Sequence, residues 1–123
     1  CGVRRLNMAF SEFEKARYGK LMADFVEKRR PPAKLRTKID LAYRLTGWSI
    51  VLFEIRLVYL GKAGETMESP IAKATYIKSE NGWKLYWKKQ NLKWYAYEPH
   101  PFLKSLEKVI EVVDRDEFCC FFG

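Results

Sequence analysis

The segment from Trp83 to Tyr97 constrains the fold of this chain more than any other part of its sequence. It reads WKLYWKKQNLKWYAY and contains four lysines and no acidic residue. Aromatic or apolar residues alternate with polar ones along most of it, and such alternation predicts β-strands with one apolar and one polar face. We therefore expect two antiparallel strands joined by a tight turn.

A two-residue turn at Gln90-Asn91 places Trp87 opposite Trp94. These two indoles are then expected to form a buried cross-strand pair. The other side of the hairpin is expected to carry one exposed basic and aromatic face, made of Lys84, Tyr86, Lys88, Lys93, Tyr95 and Tyr97. Lysines on phosphates and tyrosines stacked on bases would hold nucleic acid. The alternative is a solvated face on which lysine stems cover the tyrosine rings.

The rest of the chain predicts helices at both ends of an antiparallel sheet. Ser11 and Glu14 have the spacing of a capping box, which predicts a first helix over 11–30, before Pro31. Alternating or β-branched runs predict strands over 39–45, 48–60 and 71–79, with hairpin turns at Thr46-Gly47 and Asn81-Gly82. An apolar stripe predicts a second helix over 102–113. The last residues, EFCCFFG, are expected to form an edge strand or to plug the core.

These elements predict a single α+β domain, with an antiparallel sheet of four to five strands and an N-terminal and a C-terminal helix. The domain is expected over residues 8–123, and residues 1–7, before Met8, are interpreted as a tag or upstream extension. A formal net charge of +8 favours anionic partners. No apolar run approaches the ~18 residues of a membrane span, so no membrane partner is expected. Cys1, Cys119 and Cys120 do not form a disulfide framework, and a cytoplasmic setting is therefore predicted.

One set of charged residues has the residue types of a catalytic site. Asp40, Glu54 and Arg56 are similar to the carboxylate core that holds a divalent ion in some nucleases. With a turn at Thr46-Gly47, however, Asp40 lies opposite Phe53 and on the sheet face away from Glu54. We therefore expect a buried Glu54–Arg56 ion pair or a polar network, and no catalytic residue, metal or cofactor.

Several longer motifs are similar to a known family. KRRPPAKLRTKIDLAYRLTG, LFEIR, PIAKATYIKSENGWKLYW, LKWYAYEP and the closing FFG resemble a bacterial family of small proteins, domain of unknown function 3024. The resemblance runs from about Phe25 to Gly123 and implies no activity, since the family has none assigned. Many members carry histidine where this chain has Tyr95, which argues against a catalytic role at that position. Members also look like cargo of mobile elements, including integron gene cassettes, so the resemblance implies a bacterial accessory protein.

The sequence thus leads first to a non-catalytic binding module for an anionic partner, with nucleic acid favoured. A homo-oligomeric interaction module, such as a dimer formed through exposed apolar surface, is the alternative. A metal-dependent nuclease is the third hypothesis.

Overall fold

One antiparallel sheet and two helices make up the described part of the chain. The computed structural model describes residues 10–36, 38–58, 65–89, 91–118 and 120–122. Its helices are α1 (Glu12–Arg29) and α2 (Leu106–Arg115). Its strands are β1 (Ile39–Thr46), β2 (Ser49–Leu57), β3 (Thr66–Ile77), β4 (Gly82–Lys88), β5 (Trp94–Ala96) and β6 (Phe102–Leu103). The predicted fold class, α+β with a helix near each end, is confirmed, and the sheet has six strands instead of four or five.

Helix α1 begins at the capping box that the sequence predicts. The Ser11 hydroxyl accepts a hydrogen bond from the Glu14 backbone, and the Glu14 side chain accepts one from the Ser11 backbone. These two bonds satisfy backbone donors that the first helical turn leaves without partners. The helix ends at Arg29, just before Pro31 and Pro32, because proline cannot continue it.

The sheet is a meander in the order β1-β2-β3-β4-β5, with β6 also paired to β4. Strands β1 and β2 are joined by Gly47 and Trp48, and Thr46 pairs with Ser49. The predicted turn at Thr46-Gly47 is therefore wrong by one residue. Gly47 has a φ of 59°, a left-handed conformation that glycine adopts at little cost. The correction shifts the register by two residues, so every β1 side chain keeps its predicted face.

Strand β3 is longer at its start than the sequence predicts. Residues 66–70 belong to it, although the loop was expected to run to Pro70; residues 61–64 of that loop lie outside the described residues. The β2–β3 register shifts between Leu52 and Phe53, where Phe53 pairs with Pro70 and Ile71 is left over. Proline is tolerated in strands at such bulges, because it has no N–H to donate.

Two more predicted boundaries move by a few residues. The β3–β4 loop is 78–81, not the dipeptide Asn81-Gly82; Asn81 ends it with a φ of 49°, and Gly82 starts β4. The predicted second helix over 102–113 divides into strand β6 and helix α2, which begins after Ser105. The Ser105 hydroxyl accepts from the Lys108 backbone, and this cap fixes the helix start.

Both helices pack on the same face of the sheet, and their apolar residues form one core with it. Residues from α1, α2 and three strands surround an apolar cavity of about 20 Å³, with Met22, Leu52, Ala74, Leu85 and Val109 in its wall. A cavity of this size holds about one water molecule at most. This cavity is therefore too small for a ligand.

An aromatic cluster fills one end of the core around Trp83, which is 2% exposed. Its indole lies 5.1 Å from the Tyr18 ring, 5.3 Å from the Tyr76 ring and 5.7 Å from the Phe10 ring, measured between ring centres. Edge-to-face or tilted pairs at this distance add to the stability that apolar burial provides. The buried tryptophan of β4 is thus Trp83.

Gly82→Ala is expected to lower the free energy of unfolding by about 1–3 kcal/mol, the usual cost of an overpacked site. A Cβ at Gly82 would overlap the Phe102 ring and would lie 2.9 Å from the Leu103 carbonyl oxygen. Gly19→Ala is the matched control: its Cβ would lie 3.7 Å from the Tyr43 hydroxyl, and alanine favours the helix by ~1 kcal/mol. Urea denaturation of both variants is the measurement, and equal midpoints would contradict the prediction.

Candidate functional site

The β4–β5 hairpin, which the sequence singles out, has a register one residue away from the predicted one. Trp87 pairs with Tyr95, and Lys88 pairs with Trp94. The Lys89 N–H donates to the Lys93 carbonyl at 3.2 Å, and the Leu92 N–H donates to the Lys89 carbonyl at 2.9 Å. Leu92 has a φ of 64°, a conformation in which a residue commonly ends a three-residue hairpin loop. The predicted two-residue turn at Gln90-Asn91 is therefore wrong.

A shift of one residue moves every β5 side chain to the other face of the sheet. Trp94 lies on the face away from the helices, so the predicted Trp87–Trp94 pair does not exist. Tyr95 and Tyr97 lie on the helix side, opposite Trp87 and Leu85. Tyr97 is 1% exposed, which contradicts its prediction as part of an exposed face. The six predicted residues therefore do not form one surface.

The face away from the helices carries a cluster of lysine and aromatic side chains from three strands, which we call the outer patch. Lys73 Nζ lies 5.0 Å from the centre of the Tyr86 ring and 5.1 Å from that of the Trp94 ring. Lys88 Nζ lies 5.5 Å from the Trp94 ring. The outer patch consists of Lys73, Tyr86, Lys88 and Trp94, all of them partly exposed, and Lys84 extends it along β4.

Sequence reasoning placed Lys84, Tyr86 and Lys88 on one face, and they do share it. It missed Lys73 and Trp94, which complete the cluster. Lys73 lies opposite Tyr86 in the β3–β4 register. The correct register for these two strands would therefore have placed Lys73 in the outer patch. Lys93 is exposed in the loop beside the patch.

The lysines of strands β3–β5 and of the β4–β5 loop form no ion pair within the described residues, in contrast to most arginines there. Arginines on α1, β1, β2 and α2, and Arg30 directly after α1, form ion pairs, among them Arg17–Glu107, Arg30–Asp40 and Arg44–Glu68. Within the described part of the chain, no carboxylate lies at ion-pair distance from five lysines of this region, Lys73, Lys84, Lys88, Lys89 and Lys93. The positive charge of the outer patch is therefore not neutralised by ion pairs, and it attracts anions.

The helix side of the same hairpin borders a cleft of about 430 Å³, which we call the hairpin cleft. Its lining includes Trp87, Lys89, Tyr95, Tyr97, Glu98 and Pro99. Lys89 Nζ lies 4.2 Å from the centre of the Tyr95 ring and 5.3 Å from that of the Trp87 ring. The hairpin thus presents aromatic rings with lysine on both sides.

Tyr97 lines the hairpin cleft and contacts the C-terminal tail. Its ring lies 4.9 Å from the buried Phe121 ring, so the tail plugs the core, one of its two predicted roles. Burial, with smaller contributions from Cys120, Asp116 and Glu117, raises the pKa of Tyr97 above its usual value. The phenol therefore stays neutral at physiological pH and offers a hydroxyl, not a charge.

The three residues with a nuclease-like pattern do not meet. Arg56 donates two hydrogen bonds to Glu54 Oε1, at 2.6 and 2.9 Å. The pair is not buried as expected, since half of the Arg56 side chain is exposed. Asp40 pairs with Ile55, not with Phe53 as expected, and its side chain is on the face opposite Glu54. Among the described residues, no group of three histidine, cysteine or acidic side chains could hold a metal ion.

Asp40 instead accepts hydrogen bonds at β1, which is an edge strand of the sheet. Arg30 donates to both of its carboxylate oxygens, at 3.0 and 2.9 Å, and the Leu41 N–H donates to Oδ1 at 2.8 Å. The Leu57 N–H donates to the Lys38 carbonyl, so Lys38 is a residue of β1's side of the ladder that bonds to β2. In an antiparallel pair such residues alternate with residues whose N–H and C=O point away from the partner strand. Leu41, three residues after Lys38, is one of the latter, and its N–H points away from β2. Asp40 therefore occupies a backbone donor that the edge strand would offer to another chain.

Asp40→Asn is expected to flatten the loss of stability in acid. The hydrogen bonds from Arg30, followed by that from Leu41, lower the pKa of Asp40, so its ionised form stabilises the fold. This contribution is complete above the unfolded-state pKa of ~3.9 and is lost as the pH falls through the lower folded-state value. Urea midpoints measured from neutral pH into acid should fall less in Asp40→Asn than in the wild type.

Glu68→Gln is the control for this pH effect. It removes the same charge from an exposed pair with Arg44, and exposed pairs contribute little. We expect its acid profile to stay close to that of the wild type. A Glu68→Gln profile as flat as that of Asp40→Asn would show that general charge, and not the Asp40 contacts, sets the acid response.

The fold and the site define a small α+β protein whose sheet exposes a basic and aromatic surface. The chain belongs to the family described as domain of unknown function (DUF3024), whose model matches residues 10–123. The match includes α1 and so begins earlier than the predicted start near Phe25. Comparisons with curated proteins and with solved structures found no match. Neither helix in the described residues is long and apolar enough to cross a membrane.

Proposed function

We propose that this protein is a non-catalytic binding module for single-stranded nucleic acid, and that the outer patch is its binding surface. The observation that carries the proposal is the combination found there: lysines without acidic neighbours, interleaved with the partly exposed rings of Tyr86 and Trp94. Lysines bind backbone phosphates, and aromatic rings stack on bases that are not paired. A duplex keeps its bases stacked on each other, so a single strand fits this surface better.

Binding of a labelled single-stranded oligonucleotide over a series of salt concentrations tests the proposal. Replacing Lys73 and Lys88 by alanine should flatten the slope of log affinity against log salt by up to ~1.4, because each phosphate contact contributes ~0.7. Trp94→Ala should weaken binding by about 1–3 kcal/mol, the effect of one lost base stack, with little change in slope. Fluorescence anisotropy of the oligonucleotide measures both effects.

Lys104 and Lys108 provide the matched control for charge. Both are exposed, neither has an acid at ion-pair distance within the described residues, and they lie near the start of α2, outside the outer patch. Their double alanine variant has the same net charge as the Lys73 and Lys88 variant and should bind normally. The proposal is wrong if the wild type does not bind at low salt, where attraction is strongest. It is also wrong if the control flattens the slope equally.

The same samples test the two other hypotheses. Light scattering on the free protein measures whether it is a homo-oligomer, which the sequence kept as the alternative. Incubation of the oligonucleotide with Mg²⁺ and protein tests cleavage, which a nuclease would produce. The proposal further includes a cytoplasmic setting and a bacterial accessory role, of the kind carried by integron gene cassettes, because the cysteine pattern and the family resemblance favour them.

A further inference from the structure

We infer that the hairpin cleft is a second binding site, and that it takes a single nucleotide: one planar base with one phosphate. The cleft is on the helix side of β4 and β5, whereas the outer patch is on the other side of the same strands. The inference does not depend on the proposed function, since the two sites share no residue.

The size and lining of the hairpin cleft fit a planar ring. Its volume of about 430 Å³ lies in the range of small-molecule sites, roughly 300–1,000 Å³. Trp87 and Tyr95 sit directly opposite each other across the hairpin, and Pro99 adds a third apolar surface. Aromatic side chains at such a site stack on a nucleobase, because every base has a π-face.

The charges of the hairpin cleft favour a nucleotide over a free anion. Lys89 is the cation of the lining and Glu98 is its acid, so their charges offset each other. A bare phosphate therefore gains little net attraction there. A nucleotide gains more, because its base stacks on the aromatic rings while its phosphate contacts Lys89.

Lys89 has to move for a base to bind, and this movement makes the inference testable. Its ammonium lies against the faces of the Tyr95 and Trp87 rings, where a base would stack. Its flexible four-carbon stem lets the ammonium leave the rings and reach the phosphate. Lys89→Ala should therefore weaken the binding of a nucleotide but not that of the nucleoside, which has no phosphate to lose.

NMR titration of the full chain with AMP, adenosine and inorganic phosphate is the experiment, followed at the Tyr95 amide and the Trp87 indole. AMP should bind more tightly than either of the other probes. Lys89→Ala should weaken AMP binding about tenfold, down to the level of adenosine, and leave adenosine binding unweakened. Tyr95→Ala should weaken AMP and adenosine alike, by about 5- to 150-fold, the effect of one lost stack.

Two further variants separate a binding role from a structural one. Tyr95→Phe keeps the ring and should bind AMP normally, whereas a fold defect common to all Tyr95 variants would weaken it. Lys104→Ala removes an exposed lysine that lies outside both the outer patch and the hairpin cleft, and it should not change AMP binding. The inference is wrong if AMP shows no binding at millimolar concentrations. It is equally wrong if Lys104→Ala weakens AMP binding as much as Lys89→Ala, or if Lys89→Ala weakens adenosine binding as well.

Discussion

Trp83→Ala is expected to lower the free energy of unfolding by about 3–5 kcal/mol, the range for a large aromatic residue removed from a core. The indole is 2% exposed and contacts the rings of Phe10, Tyr18 and Tyr76, so alanine would leave a cavity between α1 and the sheet. Small domains are stable by only ~5–15 kcal/mol in total, so this loss is a large fraction of it. Urea denaturation followed by circular dichroism measures the change.

Trp94→Ala is the matched control for Trp83→Ala. The same side chain is removed from the outer patch, where it is partly exposed and contacts lysine side chains instead of a core. We expect a clearly smaller loss of stability together with the weaker oligonucleotide binding described above. If Trp94→Ala cost as much stability as Trp83→Ala, Trp94 would be a core residue and the β4–β5 register would be wrong.

Asp116→Ala is expected to have the second-largest effect, a loss of about 2–4 kcal/mol. The Asp116 carboxylate accepts hydrogen bonds from the backbone N–H groups of Phe121 and Phe122, at 2.9 and 2.8 Å. These bonds hold the tail so that Phe121 packs on Tyr97 and Phe122 lies 3.8 Å from the Arg29 guanidinium. Without the carboxylate, two backbone donors lose their partner and the tail loses its attachment. Urea denaturation gives the size of the loss.

Asp116→Gly separates the tail contacts from the backbone conformation. Asp116 ends α2 with a φ of 45°, which costs most residues ~1–2 kcal/mol and glycine very little. The glycine variant loses the same hydrogen bonds and should be about 1 kcal/mol more stable than the alanine variant. Amide hydrogen exchange at Phe121 and Phe122 should become faster in both. Unchanged exchange there would mean that other contacts hold the tail.

Local signals in the sequence were enough to predict most of the elements. The capping box at Ser11 and Glu14 gave the start of α1, since the spacing itself satisfies the backbone donors of the first turn. Alternation in the segment from Trp83 predicted strand β4. Trp83 and Leu85, two residues apart on β4, both face the core, as this alternation predicts.

The candidate site was predicted only in part, because its composition depends on register. Leucine rarely adopts a positive φ, so nothing in its residue type indicates that Leu92 ends a three-residue loop. That single extra residue moves Trp94 into the outer patch and Tyr97 into the core. The contact of Lys73 with the patch depends on the β3–β4 register, in which Lys73 lies opposite Tyr86; the turn predicted at Asn81-Gly82 gives a register four residues away.

The aromatic cluster around Trp83 also determines when the core can form during synthesis. Phe10 and Tyr18 come early in the chain, and the indole on which they pack comes from β4, far along it. Until Trp83 has left the ribosome, the apolar side of α1 lacks this partner and stays open to water or to chaperones. Strands β1, β2 and β3 join sequence neighbours and need no such delay. The core is therefore completed only after α2 and the tail, which follow Trp83 in the chain and pack in the same core, have also been synthesised.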